Sequence, residues 1–472
     1  MMVYKSHNKT PSFIATIRLL VNSVQEKEIL VISECARQIY NSCLAEALKR
    51  LNQVRRTNLY KETVKLSKTN KKDKKLRTNN FKYLNKKFNF TDLSIEAYAT
   101  KTRNASKYIN KHLGSPICQK IGLRAFYTAQ KLSFKKIKKV YFKSKAQFIT
   151  LEGKSNSAAL RYKEGYVFIG NLKLKCLFKK NDKGLKYALK HRIKYCRLIC
   201  KRIRGKNQFY VQLTLEGIPY QKYEVGKGEA GIDIGPSSIA FVHEQYAFLK
   251  EFCDNIVYLD KEKKRLQRMQ ERRRRRMNPN NYRDDGTCKT GKLTWNYSNR
   301  YIKTREEIAE LERVYAAKRK QLHEIDANLI LSYCNKVLLE RLSYKAFQKR
   351  YGRSVGRKAP SKFVAILKRK LEAQGGTVQE VSTYKTKLSQ TCQCGTVKKK
   401  PLSQRWHICE CGVISQRDLY SAFLLKCVTE SGDLCFDEVN KKWPSIEPIL
   451  IQAIERLKET KEYNKILSSF GI

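Results

Sequence analysis

Residues 387–423 read KLSQTCQCGTVKKKPLSQRWHICECGVISQRDLYSAF, a stretch in which two tight cysteine pairs precede an acidic residue. Four thiolates can close a tetrahedral structural zinc site. Asp418 follows the last cysteine by seven residues, so a predicted zinc site and a carboxylate share one short segment. The four predicted zinc ligands are Cys392, Cys394, Cys409 and Cys411.

Each cysteine pair is Cys-x-Cys, one residue shorter than the common Cys-x₂-Cys knuckle, and fourteen residues separate the two pairs. The glycine that ends each pair, Gly395 or Gly412, eases the tight turn. His407 lies close enough in sequence to replace one cysteine, and four metal-free thiols are the alternative. The loop between the pairs is basic, and we predict that it contacts phosphates through Lys398, Lys399 and Lys400.

The composition predicts a polyanionic partner. The 472 residues include 99 Lys or Arg against 42 Asp or Glu, a formal net charge of +57. Such an excess is self-repulsive unless a polyanion is bound, and its size favours a long or structured nucleic acid over a merely basic surface. The length exceeds that of one ordinary core and predicts about two to four domains.

The cysteine usage indicates a reducing compartment. Apart from the two pairs the 15 cysteines are scattered, their number is odd, and the sequence starts without a secretory signal. No uncharged apolar run approaches the ~20 residues that span a bilayer. We therefore expect a cytoplasmic, nucleoid-associated protein with no membrane segment.

The first half of the chain predicts a sheet interrupted by helices. Residues 12–21 alternate as a strand, and helical spacing of apolar residues runs from Ser23 to about Lys139. Residues 140–222 break into short alternating runs, which indicates a small antiparallel barrel or sandwich with the first strand as a candidate member. In the first predicted helix, the apolar residues that fall on one face form a stripe, which consists of Ile29, Ile32, Cys35, Ala36, Ile39, Tyr40 and Cys43.

The second half has an α/β order with a mixed sheet. EAGIDIGPSSIAFV, from Glu229, predicts a hairpin, and YAFLKEF is a candidate third strand. Two long charged helices around a loop are predicted over 256–325. The remaining elements are a strand at NKVLLERL, a helix at VAILKRKLEAQGG, a strand at TVQEVS, a helix from Asp418 to about Val428, and a tail with one amphipathic helix.

Three acids stand on separate elements of this half. Asp233 interrupts an apolar strand, Glu340 ends the apolar run of another, and Asp418 opens a helix. An acid inside an apolar strand is costly unless it is paired or binds a cation. Mg²⁺ prefers carboxylate oxygens together with substrate phosphates, and two such ions can stabilise an in-line phosphodiester cleavage.

Each acid also has a structural alternative. Asp233 can stabilise the turn before Gly235, Glu340 can begin a surface loop, and Asp418 can be a helix N-cap. The Asp-Ile-Gly sequence also opens the phosphate loop of sugar kinases and actin-like ATPases. Enzymes of that class are not expected to carry such a positive charge, and the sequence has no second glycine-rich phosphate loop near the C-terminus.

Several motifs together resemble the RuvC-like nuclease and embedded zinc ribbon of TnpB proteins, the transposon-encoded ancestors of type V CRISPR effectors. They are GIDIGP around Asp233, LLERL around Glu340, KLSQTCQCG, CGVISQRDLYSAF, and the NPNNYRDDGT and KLTWNYSNRYIK segments. The resemblance covers about 229–428 with specific motifs. Over 1–228 the resemblance is limited to the order of the parts, a barrel interrupted by a helical lobe.

The resemblance implies a multidomain α+β fold with an RNase H-like (RuvC) α/β nuclease core. A zinc ribbon is inserted in this core. The N-terminal part is a β-barrel, called the wedge, which is interrupted by a helical recognition lobe. The implied parts are wedge strands at 1–22, the recognition lobe at 23–139, the wedge barrel at 140–225, the nuclease core at 226–385 and 415–430, the zinc ribbon at 386–414, and a tail at 431–472.

The resemblance also implies an activity, RNA-guided cleavage of DNA beside a short flanking motif. The catalytic triad falls on Asp233, Glu340 and Asp418. The implied cofactors are two Mg²⁺ ions (or Mn²⁺), a structural Zn²⁺ and a guide RNA. The implied partners are the guide RNA and double-stranded target DNA, with the protein a monomer or a homodimer on one RNA.

Further residues are candidates for nucleic-acid contact. Five consecutive arginines on a helix point all round it, so we expect several partners or solvent for them. Two aromatic residues and one more arginine are also candidates, because they lie in the motifs that carry the resemblance. The candidates are Arg272, Arg273, Arg274, Arg275, Arg276, Trp295, Tyr301 and Arg417.

Three functional alternatives stay open. A compact type V CRISPR effector, or an intermediate between the two groups, has the same core. An RNA-guided DNA-binding repressor lacks cleavage, and the intact triad is the feature against it. A guide-free nuclease or resolvase is the third, and co-purifying RNA excludes it.

Overall fold

The structure, a computed structural model, divides into two compact units, Met1–Tyr220 and Gln221–Ile472. The chain is thus a multidomain α+β protein. The residues described are 10–134, 136–145, 150–222, 224–401, 403–461 and 470–471. Within them, no helix combines the length and the apolar character that a bilayer span requires. The predicted domains also include residues 1–9, 135, 146–149, 223, 402, 462–469 and 472, which lie outside the described residues.

The first unit contains a seven-stranded antiparallel sheet in the order β2-β6-β7-β1-β5-β4-β3. The first strand precedes the helices in the chain but pairs with β7 on one side and with β5 on the other, both of which follow the helices. The helical block is thus inserted between strands of one sheet, as predicted. The last strand in the order, β3, also contacts β6, so the sheet curls toward closure. The strands are β1 (Ser12–Leu20), β2 (Thr150–Glu152), β3 (Leu160–Lys163), β4 (Tyr166–Ile169), β5 (Leu172–Leu177), β6 (Ile193–Ile203) and β7 (Lys206–Glu216).

The helices of the first unit begin directly after β1. Asn22 caps the first of them with a capping box, in which its side chain accepts from the Gln25 amide and the Gln25 side chain accepts from the Asn22 amide. All seven residues of the predicted apolar stripe are buried. The helical pattern predicted to Lys139 ends at Ser133. The helices are α1 (Ser23–Arg56), α2 (Asn58–Lys65), α3 (Lys71–Lys87), α4 (Asp92–Asn104), α5 (Lys107–His112), α6 (Ser115–Ser133) and α7 (Lys183–Ala188).

The second unit contains a five-stranded mixed sheet in the order β10-β9-β8-β11-β12. Strands β10, β9 and β8 are antiparallel, whereas β8, β11 and β12 are parallel. A separate antiparallel pair, β13–β14, carries the second cysteine pair in its connection. The strands are β8 (Glu229–Ile234), β9 (Ser238–Val242), β10 (Ala247–Glu251), β11 (Lys336–Glu340), β12 (Thr377–Val381), β13 (Trp406–Ile408) and β14 (Ile414–Gln416).

Helices cover both faces of this sheet. One face packs against α9 and α11 through residues such as Ile232 and Leu339, and the other against α13 and α14 through Ala240 and Leu338. Because side chains alternate along a strand, these neighbours fix which face each acid occupies. The helices are α8 (Val257–Met277), α9 (Asn299–Leu331), α10 (Tyr344–Lys358), α11 (Pro360–Glu372), α12 (Thr383–Thr386), α13 (Arg417–Lys426) and α14 (Phe436–Lys461).

A glycine in the centre of β8 lets α13 lie unusually close to the sheet. A Cβ added to Gly231 would lie 1.8 Å from the carbonyl oxygen of Ala422 and 3.1 Å from Cβ of Leu425, both on α13. Any side chain at this position would push the helix away from the strand. The glycine therefore sets the distance between β8, which carries Asp233, and α13, which carries Asp418.

Candidate metal centres and catalytic site

The three predicted acids meet at one end of the mixed sheet. Strands β8 and β11 are parallel with Ile232 opposite Leu339, so Asp233 and Glu340 follow side by side at their carboxyl ends. Asp233 pairs in register with Ala240, and Glu340 with Val381, both of which belong to the core beneath α13. The two acids therefore share the face that α13 covers.

Helix α13 brings the third acid to this place. It packs against β8 and β11, and Asp418 is the second residue of the helix. Asp233, Glu340 and Asp418 are all half-buried. This combination, three carboxylates from two strands and a helix with some access to solvent, can bind divalent cations.

The electrostatics of the acids show mutual repulsion that the nearby Arg417 offsets only in part. Burial raises the pKa of Asp233 well above its ordinary value, and the neighbouring Asp418 and Glu340 raise it further, while Arg417 opposes them. Burial also raises the pKa of Glu340 to about 7. A divalent cation would relieve the repulsion among these carboxylates, so the donor set fits Mg²⁺ or Mn²⁺.

The helix cap resolves one structural alternative for Asp418. The N-cap of α13 is Gln416, whose side-chain oxygen accepts from the amides of Asp418 at 2.8 Å and Leu419 at 2.9 Å. The N-cap interpretation of Asp418 was therefore wrong. Because glutamine does the capping, the Asp418 carboxylate is left for other interactions.

Arg417 was predicted to contact nucleic acid, but the structure places it in the interior, 8% exposed. Its guanidinium donates to the carbonyl of Gln404 at 2.9 Å and lies 3.5 Å from the carboxylate of Asp418. Its backbone amide also donates to the carbonyl of Arg405. The side chain therefore joins the acids to the segment that carries the cysteines.

The four predicted cysteines form one cluster, with all sulfur atoms within 4.8 Å of one another. The Cys392 and Cys411 sulfurs lie 3.5 Å apart, and the Cys394 and Cys409 sulfurs lie 3.6 Å apart. A tetrahedral zinc with Zn–S bonds of about 2.3 Å requires S–S separations of about 3.8 Å. The cluster thus has the donors and the spacing for one zinc ion.

The shortened Cys-x-Cys pairs keep matching turns. In the first, the Cys392 amide donates to the carbonyl of Thr396, and in the second the Cys409 amide donates to that of Val413. The glycine of each turn has a positive φ, 84° in the first and 92° in the second, which only glycine adopts without strain. A hydrogen bond with Thr396 lowers the pKa of Cys394 to about 6, whereas burial raises the pKa of Cys392 to about 12.

His407, the alternative ligand, is outside this cluster. It is 2% exposed, its Nδ1 contacts the ammonium of Lys400, and its ring stacks on Tyr420 at 4.4 Å between centroids. Burial lowers the pKa of His407 to about 4. In the loop before it, Lys398 and Lys399 are exposed, whereas Lys400 is half-buried.

The arginine run lies at the end of α8, where its members have different surroundings. Arg273 donates to the carbonyl of Arg300, and Arg274 pairs with Glu271 and lies 4.9 Å from the ring centroid of Trp295. The exposed Arg275 also contacts Glu271. Within the part of the chain that the structure describes, Arg272 and Arg276 are exposed and make no hydrogen bond or ion pair.

The two predicted aromatic contacts are largely engaged in packing. Trp295 is half-buried, with Arg274 on its face and Tyr282 at its edge. Tyr301 is only 9% exposed and stacks on Tyr297 with 4.5 Å between centroids. The placement of Tyr301 does not leave its ring free to stack on a base.

Sequence reasoning missed three residues that build the site. Gln416 caps α13, Tyr420 contacts the cysteine cluster, and Gly231 permits the close approach of α13 to the sheet. A glycine within an apolar strand is a known sign of close backbone approach and was the one available signal. The other two roles depend on contacts between distant segments.

Residues 361–425, which include the cysteine cluster and Asp418, match the family model "Cas12f1-like, TNB domain". The family resemblance seen in the sequence is confirmed over this segment. No curated protein matches the chain. Solved structures that are similar to it include "Cryo-EM structure of the Cas12f1-sgRNA-target DNA complex" and "Cryo-EM structure of CRISPR-Cas12f Ternary Complex". The first has 12% identity, covers 88% of this chain and 98% of that chain, and has a TM-score of 0.43. The second has 14% identity, covers 88% and 83%, and has a TM-score of 0.30.

Proposed function

We propose that this chain is an RNA-guided, metal-dependent DNA endonuclease of the kind that includes TnpB proteins and compact type V CRISPR effectors. One observation carries the proposal. Asp233, Glu340 and Asp418 meet at the carboxyl ends of two parallel strands, inside a unit whose segment 361–425 matches a Cas12f1-like family model. The family match makes a nuclease site the best interpretation of these acids.

The architecture of the second unit supports an RNase H-like (RuvC) core. The mixed sheet places β8 between an antiparallel hairpin and the parallel strands β11 and β12. We propose that residues 226–385 and 415–430 form this core and that 386–414 form a zinc ribbon. For the first unit we propose a wedge barrel built by 1–22 and 140–225, with the helical lobe 23–139 inserted in it.

We assign the metal ligands to Asp233, Glu340 and Asp418. When bound there, two Mg²⁺ or Mn²⁺ ions supply Lewis-acid stabilisation of the charge that develops on a phosphate under attack. The chain's own contribution is to hold three carboxylates on rigid elements, two at strand ends and one on a glutamine-capped helix. Arg417 moderates their repulsion while its guanidinium is fixed by the Gln404 carbonyl.

A guide RNA and a double-stranded DNA target account for the charge of the chain. A formal net charge of +57 calls for many phosphates, and a folded RNA with a heteroduplex supplies them. Among the cations predicted to contact nucleic acid, Arg272 and Arg276 on α8 and Lys398 and Lys399 in the cysteine loop are exposed. We propose these four as phosphate contacts, together with Arg275.

The proposal is tested by cleavage with the full chain purified together with its own RNA. Sequencing of that RNA identifies the guide and supplies a matching DNA target. We expect cleavage with Mg²⁺, none with EDTA, and a loss of at least about 10³-fold for Asp233→Ala. The control is Asp433→Ala, which removes an exposed acid of the same unit held by Lys385 and Ser431 and leaves cleavage unchanged.

The alternatives give different results in the same experiment. A repressor copurifies with RNA and binds the target without cutting it. A guide-free nuclease or resolvase cuts after high salt and ribonuclease have removed all RNA. The genomic origin of the RNA, at a transposon end or in a CRISPR array, separates the transposon-associated interpretation from a type V effector.

A further inference from the structure

Tyr420 contacts the cysteine cluster from the helix that carries Asp418. Its hydroxyl accepts from the Gln393 amide at 2.9 Å and lies 3.7 Å from the sulfur of Cys392. Because the hydroxyl oxygen accepts from the amide, its own proton is available for donation to a Cys392 thiolate. A hydroxyl that donates to a metal-bound thiolate stabilises its charge and fixes its orientation.

The ring of Tyr420 is held on both sides. It is 1% exposed, stacks on His407 at 4.4 Å and meets the edge of Trp443 at 5.3 Å between centroids. These contacts restrict the ring independently of the hydroxyl. Removal of the hydroxyl alone therefore tests its link to the cluster and spares the packing.

The geometry of α13 places Tyr420 and Asp418 on opposite sides. Residues two positions apart on an α-helix are rotated by about 200°. Tyr420 is directed to the cysteine cluster, whereas Asp418 acts electrostatically on Asp233 at the sheet. Ala422, four positions after Asp418, contacts Gly231 on the sheet side. The short helix thus lies between the two candidate metal centres.

We propose that the Tyr420 hydroxyl is a positioning group through which a metal-loaded cysteine cluster holds Asp418 in place to bind divalent cations. The inference rests on the proposed assignment of Asp233, Glu340 and Asp418 as cation ligands. It gives zinc a role beyond the folding of the ribbon. Zinc occupancy of the cluster and Mn²⁺ affinity of the acids become coupled quantities.

The test measures Mn²⁺ affinity by the electron paramagnetic resonance signal of the free ion, with the full chain and no nucleic acid target. Zinc loss to a chromogenic chelator is followed in parallel. The test variant is Tyr420→Phe. The matched control is Tyr315→Phe, which removes a hydroxyl that donates to the Arg357 carbonyl at 3.3 Å elsewhere in the same unit. Asp418→Asn gives the background of Mn²⁺ binding outside the acids.

For Tyr420→Phe we expect zinc loss roughly 10-fold faster and Mn²⁺ affinity several-fold weaker than in the wild type. Zinc-stripped wild type should bind Mn²⁺ as weakly as the variant. In zinc-stripped protein the tyrosine and phenylalanine forms should not differ, because the hydroxyl acts through the cluster. The Tyr315→Phe control should match the wild type in both measurements.

Three results overturn the inference. The first is unchanged Mn²⁺ affinity in zinc-loaded Tyr420→Phe, and the second is an equal loss with and without zinc. The third is full Mn²⁺ affinity in zinc-stripped wild type, which decides the matter even if the variant fails to fold. Wild type that binds no more Mn²⁺ than Asp418→Asn overturns the proposed function as well.

Discussion

Replacing Gly231 with alanine tests the close packing between β8 and α13. The added Cβ would lie 1.8 Å from the Ala422 carbonyl oxygen and 2.9 Å from its carbon. Ordinary van der Waals contact requires about 3.4 Å, so the helix must move by roughly 1.5 Å. The obstacle is backbone, and no rotation of a side chain can relieve it.

The expected loss of stability follows from this displacement. Overpacking of a well-packed core costs typically 1–3 kcal/mol, and a clash with backbone belongs at the upper end, about 3 kcal/mol. For a unit of about 250 residues, each kcal/mol lowers Tm by about 2–4 °C. We expect Gly231→Ala to lower the Tm of the second unit by roughly 6–12 °C.

The assay is thermal unfolding followed by tryptophan fluorescence, since Trp443 packs against Tyr420 and Phe423 on α13. The control is Gly356→Ala in α10, where an added Cβ meets nothing within 4 Å. Alanine favours helix over glycine by up to about 1 kcal/mol, so the control should keep or raise Tm. A Tm for Gly231→Ala within about 1 °C of the control would refute the reasoning.

Three further predictions follow from the second unit. Purified wild type should contain about one zinc ion per chain by elemental analysis, and Cys411→Ser should lose it, because a structural site needs all four thiolates. Burial lowers the pKa of His323 to about 4, so the unfolding free energy should fall as pH drops from about 6.5 to 4. The unfolding free energy measured in urea titrations should fall by up to roughly 3 kcal/mol, because His323 is protonated in the unfolded chain at a pH at which it is still neutral in the folded protein. Lys358→Met should lower stability by roughly 3 kcal/mol in the same titrations, because it leaves the Glu251 carboxylate half-buried and unpaired.

Each of these has its control. Cys288→Ser changes an exposed cysteine outside the cluster and should retain zinc, and equal zinc loss in both variants would contradict the assigned ligands. His323→Gln should show a shallower pH dependence than the wild type, and an unchanged slope would exclude His323 as its source. Lys263→Met breaks a more accessible pair, with the exposed Glu312, and should cost at most about 1 kcal/mol.

Local sequence patterns were sufficient for most elements of the fold. The helical stripe after Asn22, the hairpin at 229–242 and the two long charged helices all occur where apolar spacing predicts them. Helix α10 was not predicted, because Tyr344–Lys358 is mostly polar and contains two glycines. Its backbone is also non-helical at Tyr351, so it lacks one continuous apolar stripe.

The candidate site was only partly accessible from the sequence. The sequence pointed to Asp233 and Glu340 because one acid interrupts an apolar strand and the other ends one, and such positions are costly without a ligand. The capping by Gln416 and the burial of Arg417 and Tyr301 were not foreseen. These depend on which distant segment packs against each residue, and no local periodicity carries that information.

The central position of β1 has a consequence for synthesis of the chain. Ser12 pairs with Glu216, so the first strand of the sheet meets β7, its longer partner, only after about 200 more residues have been made. At about 5–20 residues per second this takes on the order of 10–40 s. Meanwhile helices α1 to α6 can form, because their contacts are local. Most of β1 thus stays unpaired on the nascent chain for that time, which leaves the strand open to aggregation or chaperone binding during translation.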